Sequence, residues 1–399
     1  MNPTEPAEIQ DILAQAKARK QPLEVVGGGS KRFFGRPVEG AETLSLTEMR
    51  GIVDYQPGEL ICVVRPGTPM AELEGVLAES GQMLAFEPPH WGERATIGGT
   101  VACNLSGPRR FKAGAARDHL LGFQAVTGRG DIIRGGGRVV KNVTGYDLSK
   151  LMCGSFGTLA VLTELCLKVL PRGETEHTVA IRGHSAREGV AALIAAVKSP
   201  HDVSGLAYLP EDSALPAPVM ETVANMGAGE GSGAATLIRV EGPEPSVIYR
   251  SGQIARLAGD NAVTTLEREA SREVWRAIRE LEPLPLEEGE ALWRFSVPPT
   301  ESVPLVEELS RRTNLRPVYD WGGGLVWARL PADIDAAELH RAAEAAGGHA
   351  RLVRTTRPLA DGAERLPAQT GARALLHRNL KQAFDPEGIL NPGKWYPDW

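Results

Sequence analysis

The sequence predicts an α+β protein of more than one domain, and three observations predict it. Up to about residue 170, short β-branched runs alternate with few helices and many glycine turns. From about residue 177 the order strand, helix, strand, strand, helix, strand occurs twice in succession. The 399 residues exceed what one compact core encloses and call for two or three domains. A composition of 42% hydrophobic and 24% charged residues is that of an ordinary globular chain, and a net charge of −6 argues against nucleic acid or anionic lipid as the main partner.

Ile9, Ile12, Leu13 and Ala16 share one helical face and predict a helix over 8–20; the "LEVV" that follows reads as a strand. "LICVVR" predicts a second strand. The helix after it has Thr68 as N-cap, Pro69 at its first position, Leu73, Val76 and Leu77 as its buried face and Gly81 as its stop. "TLAVLTELCLKVLP" predicts a long strand closed by Pro171. The first βαββαβ set runs "HTVAIRG", "SAREGVAALIAAVKS", "VSGLAYL", "ATLIRVEG", "EPSVIYRSGQIARLAG", "AVTTLE". After the linker "LEPLPLEEGEA" the second runs "LWRFSVP", "TESVPLVEELSRR", "LRPVYDW", "LVWARLP", "DAAELHRAAEAAG", "HARLVR". Two such ferredoxin-like units side by side predict one antiparallel sheet with its helices on one face. "MGAGEGSGAA" (226–235) reads as a flexible loop.

The acidic N-terminus lacks the apolar core of a secretory signal, and no run approaches the roughly 18 apolar residues of a membrane span, so the expected location is the cytoplasm. Cys62, Cys103, Cys153 and Cys166 form no C-x-x-C pair. No two histidines stand at i, i+2 or i+4, so no metal site is expected.

Glycine loops remain as the chemical signal. "VVGGGSK" is no Rossmann fingerprint, because Arg32 stands where the third glycine belongs. "GILNPGKW" near the C-terminus is no Walker A motif, because Trp395 replaces the magnesium-binding hydroxyl. What is left is a strand running into glycines whose amides can line a nest for a pyrophosphate, with Ser30 as an added donor. Two further loops, "ATIGGTVACNLSGPRR" and "CGSFGTLAVLTE", repeat the theme; singly each reads as a tight turn, and together they suggest a ligand site.

"VVGGGSK", "ATIGGTVACN" and "KNVTGYDLSKLMCGSFGTLAVLTELCLKVLP" resemble the FAD-binding domain of the vanillyl-alcohol oxidase/PCMH-type flavoprotein family, nearly continuously from 20 to 171 and in patches from 290 to the end. The resemblance implies a PCMH-type FAD-binding domain of two α+β subdomains over 1–172, a cap or substrate domain over 173–365, and a segment over 366–399 that returns to the FAD domain. It implies that Gly27, Gly28, Gly29, Ser30 and Lys31 form the first phosphate loop. Pro88, Pro89, Gly98, Gly99, Ala102, Asn104 and Ser106 would belong to the second, with Arg109 facing a phosphate or carboxylate or simply solvated. Gly154, Gly157, Thr158 and Val161 would surround the adenosine half, and Asn391 and Lys394 would lie on the C-terminal return. The first loop holds no histidine or cysteine, so FAD is expected to bind noncovalently; His90 and Cys103 lie near the second loop.

Within this family the wording is most similar to flavin subunits of complexes that oxidise a small 2-hydroxy acid such as glycolate to glyoxylate. The implied partners are a larger FAD-linked subunit and an iron–sulfur subunit. Oxidising a hydroxy acid needs a cation for the carboxylate and a base for the hydroxyl proton. Arg294 in "LWRFS" and His349 in "GGHARL" are the expected pair, read against a solvated strand arginine and a packing histidine. Asp320 and Trp321 precede a glycine hairpin and read as turn chemistry. Relatives that work alone tend to carry a histidine-rich metal site, which this chain lacks. Three functions therefore stay open: an oxidising or electron-relaying subunit, a structural flavoprotein, and a stand-alone oxidoreductase.

Overall fold

A computed structural model describes residues 1–138, 145–211, 213–214, 233–259, 261–357 and 364–397. Most of the 226–235 loop lies outside the described residues. The chain forms two compact units. The first comprises Met1–Gly107, Gly114–Arg172 and Ala368–Trp399, the second Pro108–Ala113 and Gly173–Pro367.

In the first unit a helix over Pro6–Arg19 buries Ile9, Leu13 and Ala16 against β1 (Leu23–Val26) and β2 (Glu42–Ser45), which pair in parallel. Then come β3 (Ile52–Gln56), β4 (Ile61–Val64), the short β5 (Gln82–Met83), β6 (Leu120–Thr127), β7 (Ile132–Gly136), β8 (Ala160–Lys168) and β9 (Leu170–Pro171). Five of these make an antiparallel sheet in the order β3-β4-β8-β6-β7, and β5 pairs with β9. β8 alternates little because it is central: Val161 faces the cluster around the first helix, while Leu165 and Leu167 face Leu73, Leu77 and Phe86.

The helix after β4 runs Met70–Glu79 with Pro69 as its N-cap, so Thr68 is not the cap. Its hydroxyl is occupied by the backbone of a neighbouring turn, accepting from the Gly51 amide (2.9 Å) and donating to the Arg65 carbonyl (2.7 Å). Gly81, at φ +65°, ends the helix as expected.

The C-terminal segment is anchored by a buried ion pair on the helix Gly371–Phe384. Lys381 Nζ donates to Asp385 (2.7 Å), to the Thr158 carbonyl (2.7 Å) and to the Leu390 carbonyl (2.9 Å). Asp385 in turn accepts from the Ile389 and Leu390 amides. Removing one member of a buried pair strands the other, so Lys381→Met is expected to cost about 3–5 kcal/mol of stability, read as a lower urea midpoint.

The second unit carries β10 (Thr175–Arg182), β11 (Val203–Leu209), β12 (Ala235–Gly242), β13 (Val263–Glu267), β14 (Glu290–Ser296), β15 (Arg316–Asp320), β16 (Leu325–Pro331) and β17 (His349–Thr355). They form one eight-stranded antiparallel sheet in the order β13-β10-β12-β11-β15-β16-β14-β17. Each half follows the ferredoxin-like order, and the halves join where β11 meets β15, with the rings of Tyr208 and Tyr319 5.7 Å apart. One face buries Ile238, Val240, Leu206, Phe295 and Val326 against helices that supply Val190, Leu193, Val247, Val306 and Leu339.

The expectation of helices on one face is corrected by the helix Arg268–Glu280, which the sequence reading left unassigned. Its Trp275 sits on the opposite face, over Thr178, Arg239 and Gly205, which are cross-strand neighbours. Val274, Trp275, Ala277 and Ile278 give it a buried stripe amid charged residues.

Candidate functional site

β1 runs out into a cleft in the first unit. It is lined by Gly27, Gly28, Gly29, Ser30 and Lys31 of the first loop, Gly99 and Ala102 of the second, and Asn391 and Lys394 of the C-terminal segment, all expected from the sequence. Cys103, expected near the second loop, lines it too, and Glu24, Arg32, Thr96 and Phe156 also line it and were missed. Among the described residues the amides of Gly28, Gly29 and Ser30 meet no protein acceptor, leaving three consecutive donors at the cleft. Lys31 and Lys394 bring positive charge, while Arg32 is paired with Glu24. Lys31 Nζ donates to Ser30 Oγ (3.1 Å) and the His90 carbonyl (3.0 Å), and Lys394 Nζ to the Arg32 carbonyl (2.9 Å). Unsatisfied amides beside cations fit a pyrophosphate.

The glycines serve packing as much as ligand approach. A Cβ on Gly27 would stand 2.1 Å from Thr96 Oγ1, and one on Gly28 1.5 Å from the Arg94 carbonyl oxygen, so the first loop abuts the second directly. Gly29 is held at φ +76°. Asn391 ties three segments together: its side chain accepts from the Val25 amide (2.7 Å) and donates to the Phe156 carbonyl (2.6 Å), and its amide donates to the Leu23 carbonyl (2.9 Å).

Other expected residues stand behind the cleft rather than on its lining. Gly98 packs on Pro66, Asn104 accepts from the Arg117 amide (3.3 Å), and Ser106 accepts from the Ala116 amide (2.9 Å). Gly154 and Gly157 adopt positive φ beside Asn104 and Asn391, Thr158 donates to the Ser155 carbonyl (2.7 Å), and Val161 is core. Pro88 and Pro89 are buried outside the lining. Arg109 belongs with the second unit, where it makes a bidentate pair with Glu241 (3.0 and 2.6 Å). It engages two carboxylates there, the partly buried Glu241 and the buried Glu176.

The second unit brings Arg294 and His349 together. β14 and β17 pair Arg294 with Arg351 and Ser296 with His349, so all four lie on one face, opposite the core residues Phe295 and Ala350. Trp327, the partner of Arg294 on β16, lies there too. The Arg294 guanidinium stacks near Trp321 (5.0 Å to the ring centroid) and Trp327 (5.7 Å), and its buried Nε has no hydrogen-bond partner. Burial, then the charges of Arg351 and Arg110, opposed by Asp320, push Arg294 down to about 9. It remains a cation at neutral pH, placed at an energetic cost that a bound anion would offset.

His349 keeps contact with solvent, and partial burial followed by Arg294, Arg351 and Arg110 holds its pKa below the ordinary histidine value. Asp320 accepts from the Trp321 amide (2.6 Å), as a turn residue would, and also opposes the positive charge around Arg294. Trp321 does more, since Arg110 also stacks on it at 4.3 Å. Arg351 was legible as the i+2 neighbour of His349 on a strand; Arg110, beside the favoured Arg109, had no such signal.

Among the described residues no group of His, Cys, Asp and Glu is placed to hold a metal, and no helix is long and apolar enough to cross a membrane. Fold and cleft together define an FAD-linked oxidoreductase: the FAD binding domain family matches residues 1–136, and the C-terminal domain of FAD linked oxidases matches 364–395. Crystal structures with the same fold include p-cresol methylhydroxylase, at a TM-score of 0.73 and 14% identity over 100% of this chain and 88% of that one. Alkyldihydroxyacetonephosphate synthase has a TM-score of 0.69 at 17% identity, over 98% and 75%. The PCMH-type fold expected from the sequence is the fold found. The chain belongs to the family of the glycolate oxidase subunit GlcE of Escherichia coli (strain K12), with which it is 38% identical over 98% of its own length and 97% of the relative's. It is also 28% identical to the glycolate oxidase subunit GlcD of Bacillus subtilis (strain 168), over 98% of this chain and 87% of that one.

Proposed function

We propose that this chain is the flavin-carrying subunit of a cytoplasmic 2-hydroxy acid oxidase complex, that glycolate is its substrate, and that it works beside a larger FAD-linked subunit and an iron–sulfur subunit. The observation that carries a substrate site in this chain is Arg294, a guanidinium with a buried, unsatisfied Nε on the same sheet face as His349. A planar fork of donors suits a carboxylate, and the indoles of Trp321 and Trp327 flank it.

The amides of Gly28, Gly29 and Ser30, with Lys31 and Lys394, hold the FAD pyrophosphate, and Asn391 fixes the segments that shape its cleft. Bound FAD supplies the acceptor for the α-hydrogen of the hydroxy acid. Arg294 orients the carboxylate, and His349 takes the hydroxyl proton at a ring nitrogen.

FAD binds noncovalently in this reading. Denaturing the flavin-loaded protein and filtering it should put FAD in the filtrate; colour retained on the protein would make Cys103 or His90 an attachment point instead. His349 must be neutral to accept a proton, and burial with the neighbouring cations Arg294, Arg351 and Arg110 holds its pKa below the ordinary histidine value. The rate of flavin reduction by saturating glycolate should therefore be flat above neutral pH and fall only on the acid side, with a midpoint below that value, and His349→Asn should abolish that limb. A midpoint above that value, or a limb that survives the substitution, contradicts the assignment.

A further inference from the structure

The segment Pro108–Ala113 leaves the first unit's second glycine loop and is built into the second unit as a strap. Three of its side chains are fastened there. Arg109 grips Glu241 with two hydrogen bonds and lies 3.7 Å from Glu176, Phe111 packs on the sheet's core, and Lys112 pairs with Asp202. The Arg109 clamp is deep. Glu241 also neighbours Arg239 (3.7 Å), whose guanidinium lies over Trp275 and donates to the Ser204 carbonyl (3.1 Å). Glu176 accepts from Ser271 (2.9 Å), which pairs with Thr178 (2.7 Å), and Thr178 accepts from Trp275 Nε1 (2.7 Å). Burying four charges costs desolvation that good pairing only offsets, so the arrangement contributes little net stability.

What it does achieve is placement. The residue between the fastened ones, Arg110, is set over Trp321, the same indole that Arg294 approaches. Two guanidiniums on one ring, with Arg351 on the neighbouring strand, concentrate positive charge that Asp320 opposes only in part, which suits an anion.

Building on the assignment of Arg294 to the substrate carboxylate, we propose that Arg110 is a second substrate-anchoring guanidinium, and that Arg109, through Glu241 and Glu176, is the positioning residue that sets it in place. The hydroxy acid's carboxylate is then shared between a cation fixed on the sheet and a cation delivered by the strap.

The test is calorimetric titration of the flavin-loaded chain with oxalate, a carboxylate probe that cannot be oxidised at a hydroxyl. Arg110→Met and Arg109→Met should each weaken oxalate about 10- to 100-fold, with Arg110→Lys retaining part of the affinity. The double variant should bind no worse than Arg110→Met alone, because Arg109 acts only through Arg110. Flavin content and unfolding midpoint identify any variant that has lost its fold, and Glu241→Gln then replaces Arg109→Met as the probe of the clamp. Unchanged affinity in Arg110→Met overturns the inference, as does a double variant whose loss is the product of the two single losses. If only Arg294→Met weakens oxalate, the substrate site stands and the strap has no part in it. If the wild-type protein fails to bind oxalate, or Arg294→Met leaves binding unchanged, the substrate site itself is refuted.

Discussion

Gly28→Ala is expected to yield a folded protein without flavin. The added methyl would lie 1.5 Å from the Arg94 carbonyl oxygen and 2.6 Å from its carbon, and both are backbone atoms that cannot rotate away. The first loop must then lift off the second, and the amides of Gly28, Gly29 and Ser30 no longer face one cleft. Losing convergent charge-assisted hydrogen bonds to a pyrophosphate should raise the FAD dissociation constant by about two orders of magnitude or more. The ratio of flavin to protein absorbance in the purified variant measures this. Gly29→Ala is the informative contrast: its Cβ meets only the flexible Arg32 side chain, 3.5 Å away at Cδ, and its φ of +76° costs about 1–2 kcal/mol. It should bind flavin weakly rather than not at all.

The second large effect is expected for Arg294→Met, which keeps an unbranched apolar stem and removes the guanidinium fork. If the guanidinium holds the substrate, kcat/KM for flavin reduction by glycolate should fall by about 100- to 1,000-fold, since a buried charge-assisted contact to a carboxylate is lost. Arg294→Lys should recover little, because an ammonium on a flexible stem cannot make two parallel bonds. Stability should change in the opposite sense to most core substitutions. The Arg294 pKa is pushed down to about 9 by burial and by Arg351 and Arg110, so removing its charge relieves repulsion in the unliganded protein, and the unfolding midpoint should stay level or rise.

Much of the fold was legible because its strands are short and strongly patterned. β11, β12 and β16 have the bounds of the runs "VSGLAYL", "ATLIRVEG" and "LVWARLP". The helix at 268–280 was passed over because seven of its thirteen residues are Arg or Glu, and its apolar stripe is only four residues long. Thr68 was misplaced for a different reason: a hydroxyl before a helix suits a cap, but here the turn at Gly51 and Arg65 claims it.

The cleft was legible through its glycines, although the pressure on Gly27 and Gly28 comes from Thr96 and Arg94, a contact between distant segments that spacing cannot reveal. On the second unit, Arg294 and His349 could be picked by chemistry alone. Their meeting depends on the β14–β17 register, and the part played by Arg110 and Trp321 depends on a strap whose path only the three-dimensional structure traces.

The most direct test of the central claim is an anaerobic absorbance spectrum of the flavin-loaded chain alone, taken before and after adding glycolate. The account predicts that the oxidised flavin bands near visible wavelengths bleach in the wild-type protein and persist in Arg294→Met. A flavin that is fully bound and stays oxidised with glycolate present would contradict a substrate site in this chain and assign the oxidation to a partner subunit.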